Sequence, residues 1–248
     1  MKEEEIVKRL KNDEDYYGEL GKLYLSQSDI TTLLHDPKMY HVENLKTPES
    51  VKNLEIGKYF HYLMLEPDKA KEYELIDVKS RRTKKFEEAW NTNKKILTIS
   101  EAESTKHLTT LMQSNDDFSK EIYQENNLFE QPGIIKINDT IWKGKADIIT
   151  EDKIIDLKTT SDIHRFKYSF YTYYYSCQAW IYEKIFGKPI IFFVACKKTG
   201  TLGKFTIETD RAKEHGETNV LKAIENYKQF CTPTAIIEDK NFYVEYTL

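Results

Sequence analysis

Cysteine is scarce in this sequence, with three residues in a chain of 248. They lie far apart, at Cys177, Cys196 and Cys231. An odd number at such wide spacing fits neither a disulfide framework nor a structural zinc pattern. It also argues against an iron–sulfur cluster, because such a cluster needs four cysteine-type ligands. We therefore expect no cysteine-based metal centre.

Long apolar stretches are missing as well. No run approaches the roughly 20 apolar residues that a membrane span requires. Residues 1–5 lack the basic start and the apolar stretch of a signal peptide. Hydrophobic residues make up 40% of the chain and charged residues 31%, and 248 residues suffice for one sizeable core. We expect a soluble cytoplasmic protein without membrane association.

The chain also lacks a surplus of positive charge, since 37 basic residues face 41 acidic ones and the net charge is −4. A DNA-binding protein usually carries a basic footprint. Positive charge is concentrated in residues 79–85, where five of seven side chains are basic. Contact with phosphate is one interpretation of this run, and ordinary solvated surface is the other.

The stretch with the most chemical content is a predicted β-hairpin at residues 142–159. Two isoleucine-rich arms flank a short polar turn at residues 151–153. Alternation along the second arm places Asp156 and Lys158 on one face, and Asp147 lies close enough across the turn to join them. Two carboxylates and an ammonium aimed at one spot suit a hard cation such as Mg²⁺. The alternative interpretation is that these charged residues form the solvent-exposed face of a half-buried sheet.

A helix is predicted next, over residues 166–186, ended by Gly-Lys-Pro at residues 187–189. Four polar or aromatic residues on it are spaced by four, three and four positions, which places them on one helical face. They are Tyr171, Tyr175, Gln178 and Tyr182. This face either lies beside the carboxylates of the hairpin or packs in the core.

These segments together resemble the PD-(D/E)xK nuclease superfamily. The motifs are Gly-Lys-Ala-Asp at residues 144–147, Ile-Asp-Leu-Lys-Thr-Thr at 155–160 and Gln-Ala-Trp-Ile-Tyr at 178–182. Two earlier segments, Leu-Ser-Gln-Ser-Asp-Ile at 25–30 and Gly-Lys-Tyr-Phe-His at 57–61, are similar to those of the exonuclease VIII (RecE-type) group and RecB-like phage exonucleases. The similarity runs from about residue 25 to residue 200.

The resemblance implies an α/β (α+β) fold, a restriction-endonuclease-like core with a central mixed β-sheet flanked by helices. It divides the chain into an N-terminal extension at residues 1–24, expected to be a loosely attached helix, and one nuclease domain at residues 25–248. A short helix capped by Ser28 and an edge strand within residues 235–246 are also expected.

The resemblance further implies roles for particular side chains. Asp147 and Asp156 would bind one or two Mg²⁺ ions, with Mn²⁺ as a substitute. Glu130, the Leu157 carbonyl and His61 would be additional metal contacts, and Glu125 competes with Glu130 for its role. Lys158 would orient the attacking water and stabilise charge on phosphorus, while Gln178 and Tyr182 would orient water, DNA backbone or hairpin residues. Candidate DNA contacts are Ser28, Arg81, Arg82, Lys84 and Lys85.

The function that the resemblance implies is Mg²⁺-dependent hydrolysis of phosphodiester bonds from the ends of double-stranded DNA. This would leave single-stranded tails for recombination, in a phage- or prophage-encoded protein acting in a bacterial host. A single-strand annealing protein as partner and a ring-shaped homo-oligomer are implied by the same route. The alternatives are a repair or site-specific endonuclease on the same fold, a non-catalytic DNA-binding subunit, and an α/β protein with coincidental motifs.

Overall fold

The computed structural model describes residues 2–42 and 48–232. Its helices are α1 (Glu3–Arg9), α2 (Asp13–Tyr17), α3 (Glu19–Lys22), α4 (Ile30–His35), α5 (Pro48–Leu65), α6 (Pro67–Ala70), α7 (Lys84–Thr92), α8 (Ile99–Ser114), α9 (Asp116–Ile122), α10 (Phe166–Thr172), α11 (Tyr175–Phe186) and α12 (Asp210–Phe230). Its strands are β1 (Glu74–Ile76), β2 (Ile96–Thr98), β3 (Leu128–Ile137), β4 (Thr140–Ile149), β5 (Ile154–Thr160), β6 (Ile190–Cys196) and β7 (Leu202–Thr206). None of the helices in these ranges has the length and apolarity needed to cross a membrane.

The main sheet has five strands in sequence order, β3-β4-β5-β6-β7. β5 and β6 run parallel, and the other neighbours are antiparallel. A parallel pair needs a crossover connection, and α10 and α11 supply it. All seven residues of β6 are buried, as is typical of a short, continuous apolar strand. The predicted mixed sheet flanked by helices is confirmed.

Each face of the sheet carries its own hydrophobic core. One core contains residues of α4, α10, α11 and α12, and the other contains residues of α5, α8 and α9. In β5, Ile154 belongs to the first core, whereas Ile155 and Leu157 belong to the second. Because side chains two apart share a face, Asp156 and Lys158 lie on the side of the first core. This is the arrangement that the hairpin pattern predicted.

The helix expected over residues 166–186 is two helices. It breaks between α10 and α11, where Tyr174 adopts a left-handed conformation with φ 54°. The Tyr174 hydroxyl lies 2.9 Å from His35 Nε2, and its ring stacks on that of His215. Contacts with α4 and α12 therefore hold a conformation that the local sequence does not favour.

Two helix starts differ from expectation. Ser28 does not cap the helix that follows, since the Asp29 carboxylate accepts hydrogen bonds from the Ser26 backbone N–H (2.7 Å) and hydroxyl (2.8 Å) instead. Ser100 and Glu103 have the spacing of a capping box, which predicts a helix start at Ser100. In α8 the capping box joins Thr98 and Glu101 instead, two residues earlier. Several serines and threonines compete for each cap position, so composition alone does not select one. The edge strand expected within residues 235–246 lies outside the described residues.

The N-terminal segment is packed against the sheet, so the expectation of a loosely attached helix is wrong. Leu10 is fully buried and clusters with Tyr16, Leu20 and Ile134 of β3. Leu25 then pairs in parallel with the edge of β4, where its N–H donates to the Ile141 carbonyl at 2.9 Å. Burial of aromatic and aliphatic side chains fixes this segment to the first two strands of the sheet.

Candidate active site

The sheet opens where its two predicted aspartates face each other. β4 and β5 pair only through Ile148 with Ile155 and Ile149 with Ile154. The same register places Asp147 opposite Asp156, immediately beyond the last pair. There the Leu157 N–H donates a hydrogen bond to Asp147 Oδ2 at 2.7 Å, which replaces the missing strand pairing. The hairpin thus brings both carboxylates to one opening in the sheet.

Glu130 lies across β4 from the same position, in a strained conformation. Its neighbours pair in register with Ile148 and Ala146, which places Glu130 opposite Asp147. Its φ of 50° is unusual for a residue with a Cβ. Ala146 and Ile148 are two residues apart but belong to the cores on opposite faces of the sheet. The regular alternation of side chains between the two faces is therefore interrupted at Asp147. Such strain persists at functional sites where the surroundings enforce it.

Three side chains form a group that is able to hold a metal ion. One ligand atom from each of His61, Glu130 and Asp147 lies within 4.8 Å of the others. His61 projects from α5, and its Nδ1 is 3.4 Å from Asp147 Oδ2. Carboxylate oxygens suit Mg²⁺ and Mn²⁺, and imidazole is a common ligand of transition metals. Glu125, the competing candidate, is exposed and outside this group.

The charges of this group fit a divalent cation. Burial, followed by the charge of Asp147, raises the pKa of the Glu130 carboxyl. Burial by itself would lower the pKa of His61, but the charge of Asp147 and the hydrogen bond to it outweigh burial and raise this pKa to about 9. Without a metal, protons therefore offset the buried negative charge. A divalent ion would replace these protons, and so the donor set fits the metal that the fold implies.

Asp156 makes a second set of contacts beside this group. Its Oδ2 is 2.5 Å from Lys158 Nζ, and its Oδ1 accepts a hydrogen bond from the Gln178 amide. Oδ2 accepts no well-aligned hydrogen bond among the described residues, so the contact with Lys158 is an ion pair by distance alone. Asp156 is 1% exposed. Burial raises the pKa of its carboxyl, and the Lys158 charge opposes that rise.

Gln178 and Tyr182 contact hairpin residues, one of the three possibilities expected for them. Tyr182 donates a hydrogen bond to the Lys145 carbonyl at 2.9 Å and accepts one from the Lys145 N–H at 3.3 Å. A Cβ on Gly144 would lie 2.7 Å from the Tyr182 ring, so glycine permits this close approach. Tyr182 thereby positions β4 just before Asp147, as Gln178 positions Asp156.

These residues line one solvent-open cleft of about 490 Å³. All eight predicted catalytic or metal-binding residues contribute to it: His61, Glu130, Asp147, Asp156, Leu157, Lys158, Gln178 and Tyr182. Sequence reasoning missed part of the lining, namely Asp13, Tyr16 and Tyr17 of α2, Lys58 and Glu66. The spacing of four between Asp13 and Tyr17 was available as a signal, but nothing local tied this segment to the cleft.

The five residues predicted to contact DNA lie outside the lining of this cleft. Arg81 is 3.0 Å from Glu101 and is largely covered. Lys84 is 3.7 Å from Glu88 and fully exposed, and Arg82 and Lys85 are exposed beside it. Ser28 is exposed, whereas its neighbour Gln27 reaches the cleft. The densest basic run therefore does not supply the lysines of the cleft lining, which are Lys58, Lys145, Lys158 and Lys197.

We expect Glu130→Gly to stabilise the metal-free protein while abolishing metal binding. Glycine adopts a positive φ without strain, and removing a carboxylate beside Asp147 relieves charge repulsion. We expect the free energy of unfolding to rise by about 1 kcal/mol, net of the extra chain entropy of glycine. Thermal unfolding and titration calorimetry with Mg²⁺ would measure both effects.

Asn138→Gly is the matched control, because Asn138 also has a positive φ, of 45°, but lies in the β3–β4 turn. This variant should change stability by a similar small amount and leave metal binding as it is. A Glu130→Gly protein that is less stable than the parent, or that titrates normally with Mg²⁺, would contradict the strained-ligand interpretation.

Comparison with known proteins agrees with this geometry. Residues 35–234 match the model of a family described as a PDDEXK-like domain of unknown function (DUF3799). A solved structure of a provisionally assigned exonuclease from Eubacterium rectale is 16% identical, has a TM-score of 0.60, and the match covers 96% of this chain and 95% of that one. At this identity the likeness concerns the fold.

A second solved structure, that of SSO0001, is 14% identical over 77% of this chain and 84% of its own, with a TM-score of 0.30 that carries no argument. No curated protein matches the sequence. The family match spans 200 of the 248 residues and contains every predicted catalytic or metal-binding residue in the cleft. The chain therefore belongs to the PDDEXK-like domain family DUF3799, and through it to the PD-(D/E)xK nuclease superfamily.

Proposed function

We propose that this protein is a metal-dependent deoxyribonuclease that hydrolyses phosphodiester bonds from the ends of double-stranded DNA. The observation that carries the proposal is the group of His61, Glu130 and Asp147 at the base of an open cleft. A lysine, Lys158, lines the same cleft. Metal ligands beside a cation are the arrangement that phosphodiester hydrolysis requires, since the metal and the cation both stabilise developing negative charge.

His61, Glu130 and Asp147 would hold the metal together with Asp156 and the Leu157 carbonyl, which belong to the same cleft lining. We propose Mg²⁺ as the metal, with Mn²⁺ as a substitute. When bound, the ion would polarise a phosphoryl oxygen and lower the pKa of a bound water. The Leu157 N–H orients the Asp147 carboxylate by donating to its Oδ2. His61 comes from α5, Glu130 from β3 and Asp147 from β4, so three separate elements supply these ligand atoms.

Lys158 is the side chain best placed to stabilise charge on the reacting phosphate. Its Nζ lies against Asp156 and 5.0 Å from the centre of the Tyr175 ring. The Asp156 charge counteracts burial and raises the pKa of Lys158, which keeps the ammonium protonated. Gln178 fixes the other oxygen of Asp156. Besides the proposed role of Asp156 as a metal ligand, Asp156 and Gln178 would therefore position Lys158 and keep it charged.

The cleft lining has four lysines that are able to contact phosphate groups: Lys58, Lys145, Lys158 and Lys197. Five carboxylates line the same cleft, so its net positive charge would depend on the bound metal ion. The preference for DNA ends is supported by the resemblance of the motifs to the RecE-type group and by the provisional assignment of the E. rectale neighbour as an exonuclease.

The test is digestion of end-labelled linear duplex and of a covalently closed circle, each with Mg²⁺ and with a chelator. We expect linear DNA to be degraded to mononucleotides or short products only when Mg²⁺ is present, and the closed circle to stay intact. The position of the label that is released first would establish the direction of digestion. Cleavage of the closed circle would instead identify an endonuclease. Binding of DNA without cleavage under any metal would indicate a non-catalytic subunit.

A further inference from the structure

A large aromatic side chain in the cleft is left open to solvent. Tyr17 of α2 lines the cleft and has 62% of its surface exposed. Its neighbour Tyr16 is 7% exposed, and the two rings meet edge to face with centres 5.0 Å apart. Both residues precede the range of 35–234 that matches the family. Tyr17 is therefore a feature of this chain that the family match does not describe.

The backbone that carries Tyr17 is held rigidly against the cleft. At the start of α2, Asp13 Oδ1 lies 2.6 Å from Lys145 Nζ, and Asp13 Oδ2 lies 2.6 Å from Lys69 Nζ. Near its end, Lys143 Nζ donates to the Tyr16 carbonyl at 2.6 Å. Lys143 and Lys145 belong to β4, the strand that carries Asp147. The exposed ring is thus tied to the strand that forms the metal group.

Two lysines, each paired with a carboxylate, lie beside the ring. Lys145 Nζ lies 5.7 Å from the centre of the Tyr17 ring, and Lys58 Nζ lies 5.9 Å from it on the α5 side. An exposed ring next to cations suits a ligand with a flat apolar face joined to an anion. A nucleotide has this composition, because its base stacks on aromatic side chains while its phosphate pairs with basic ones.

We propose that Tyr17 is a stacking surface for a base of the substrate strand, next to the phosphate held at His61, Glu130 and Asp147. This inference rests on the proposed nuclease function and extends it to residues 1–24, for which the sequence indicated no role. Stacking uses the face that every base possesses. The contact therefore positions the strand and does not select a sequence.

An exposed tyrosine by itself is common on protein surfaces, so the test needs a matched control. Tyr168 of α10 provides one, since it is 60% exposed and lies outside the cleft lining. Tyr17→Ala removes the ring, Tyr17→Phe keeps the ring and removes the hydroxyl, and Tyr168→Ala removes an equally exposed ring elsewhere. Because Tyr17 is exposed, its replacement is expected to leave the thermal unfolding temperature nearly unchanged.

We expect Tyr17→Ala to raise KM for linear DNA about tenfold, within the range of a lost base stack, with kcat changed by less than about twofold. Tyr17→Phe and Tyr168→Ala should behave like the parent protein. A series of substrates would each carry one abasic nucleotide at a different position of the digested strand. The parent should show a raised KM for the substrate in which the stacked base is missing. For that substrate, Tyr17→Ala should have the same KM as the parent. Equal KM for parent and Tyr17→Ala on intact DNA, or additive losses, would overturn the proposal.

A binding measurement separates this inference from the proposed function. Single-stranded oligonucleotides with 2-aminopurine at successive positions are mixed with protein without Mg²⁺, where no hydrolysis is expected. Stacking on Tyr17 should quench the fluorescence at one position with the parent and Tyr17→Phe, and the quenching should be lost with Tyr17→Ala. If the parent quenches without ever digesting DNA, the nuclease proposal fails and the stacking proposal stands. If no variant differs, the stacking proposal fails whatever the digestion assay shows.

Discussion

Asp147→Asn should reduce Mg²⁺-dependent digestion of linear DNA by about a thousandfold or more, equivalent to roughly 4 kcal/mol in the activation barrier. Asp147 belongs to the group that is able to hold a metal ion, and it also lies where the β4–β5 pairing ends. An asparagine oxygen still accepts the hydrogen bond from the Leu157 N–H, which Asp147 accepts at 2.7 Å. The substitution therefore removes a charge and a metal ligand while it keeps the local geometry.

The measurements are single-turnover digestion and titration calorimetry with Mg²⁺. Both activity and metal affinity should fall together, because the proposed role of Asp147 is to hold the ion. Asp152→Asn is the matched control, since Asp152 is an exposed aspartate in the turn of the same hairpin. It should retain parental activity. An Asp147→Asn protein that digests DNA at the parental rate would remove the basis of the nuclease assignment.

Lys158→Met should reduce turnover by about 10²–10³ but leave Mg²⁺ affinity largely intact. Lys158 contacts Asp156 and no member of the His61, Glu130 and Asp147 group at ion-pair distance among the described residues. Its ammonium is proposed to stabilise negative charge on the phosphate. In other enzymes, removal of one donor that stabilises such charge lowers the rate by about 10²–10³. Calorimetry that showed lost metal affinity with unchanged turnover would reverse the roles assigned to Lys158 and Asp147.

The same variant should lose stability in a pH-dependent way. Burial raises the pKa of Asp156, and Lys158 is the main influence that lowers it. Without the lysine, the folded-state pKa of Asp156 rises further above its unfolded value. Near pH 5, where Asp156 is protonated, the variant and the parent should have similar free energies of unfolding. As the pH rises past the folded-state pKa of Asp156, the carboxyl ionises and has no partner in the variant. The free energy of unfolding of the variant should then be lower than that of the parent by about 3 kcal/mol.

Two variants check this interpretation of the stability loss. The double variant Asp156→Asn/Lys158→Met has no buried carboxylate at this position and should regain most of the stability at pH 8, without regaining activity. Lys204→Met breaks an ion pair with Glu121 at the half-exposed edge strand β7. It should cost less than about 1 kcal/mol at any pH. A Lys158→Met deficit that stays constant between pH 5 and pH 8 would contradict the assignment of the loss to Asp156.

Local patterns were sufficient to predict the centre of the site. The alternation of apolar and charged residues in β5 placed Asp156 and Lys158 on one face, and the structure pairs them at 2.5 Å. Helical spacing placed Gln178 and Tyr182 together, and both line the cleft. These predictions succeeded because periods of two and of 3.6 residues depend on backbone geometry within one element.

Other features of the site depend on contacts between distant segments. The left-handed backbone of Glu130 is stabilised by its surroundings and opposes the preference of the residue itself. The break at Tyr174 follows from packing against His35 and His215. The five predicted DNA contacts were chosen from charge and motif along the chain, and none of them belongs to the cleft lining. The density of charged residues along a sequence does not show on which side of the fold those residues lie.

The sequence by itself determined the superfamily, the hairpin that carries the aspartates and the order of the catalytic motifs, because each of these lies within a short stretch whose geometry is local. Only the tertiary structure brought His61 of α5 and Glu130 of β3 to Asp147, and docked α2 with Tyr17 beside them. His61, Glu130 and Tyr17 are separated from Asp147 by 86, 17 and 130 positions. Their approach is driven by burial of apolar surface across the whole domain, which no local period encodes.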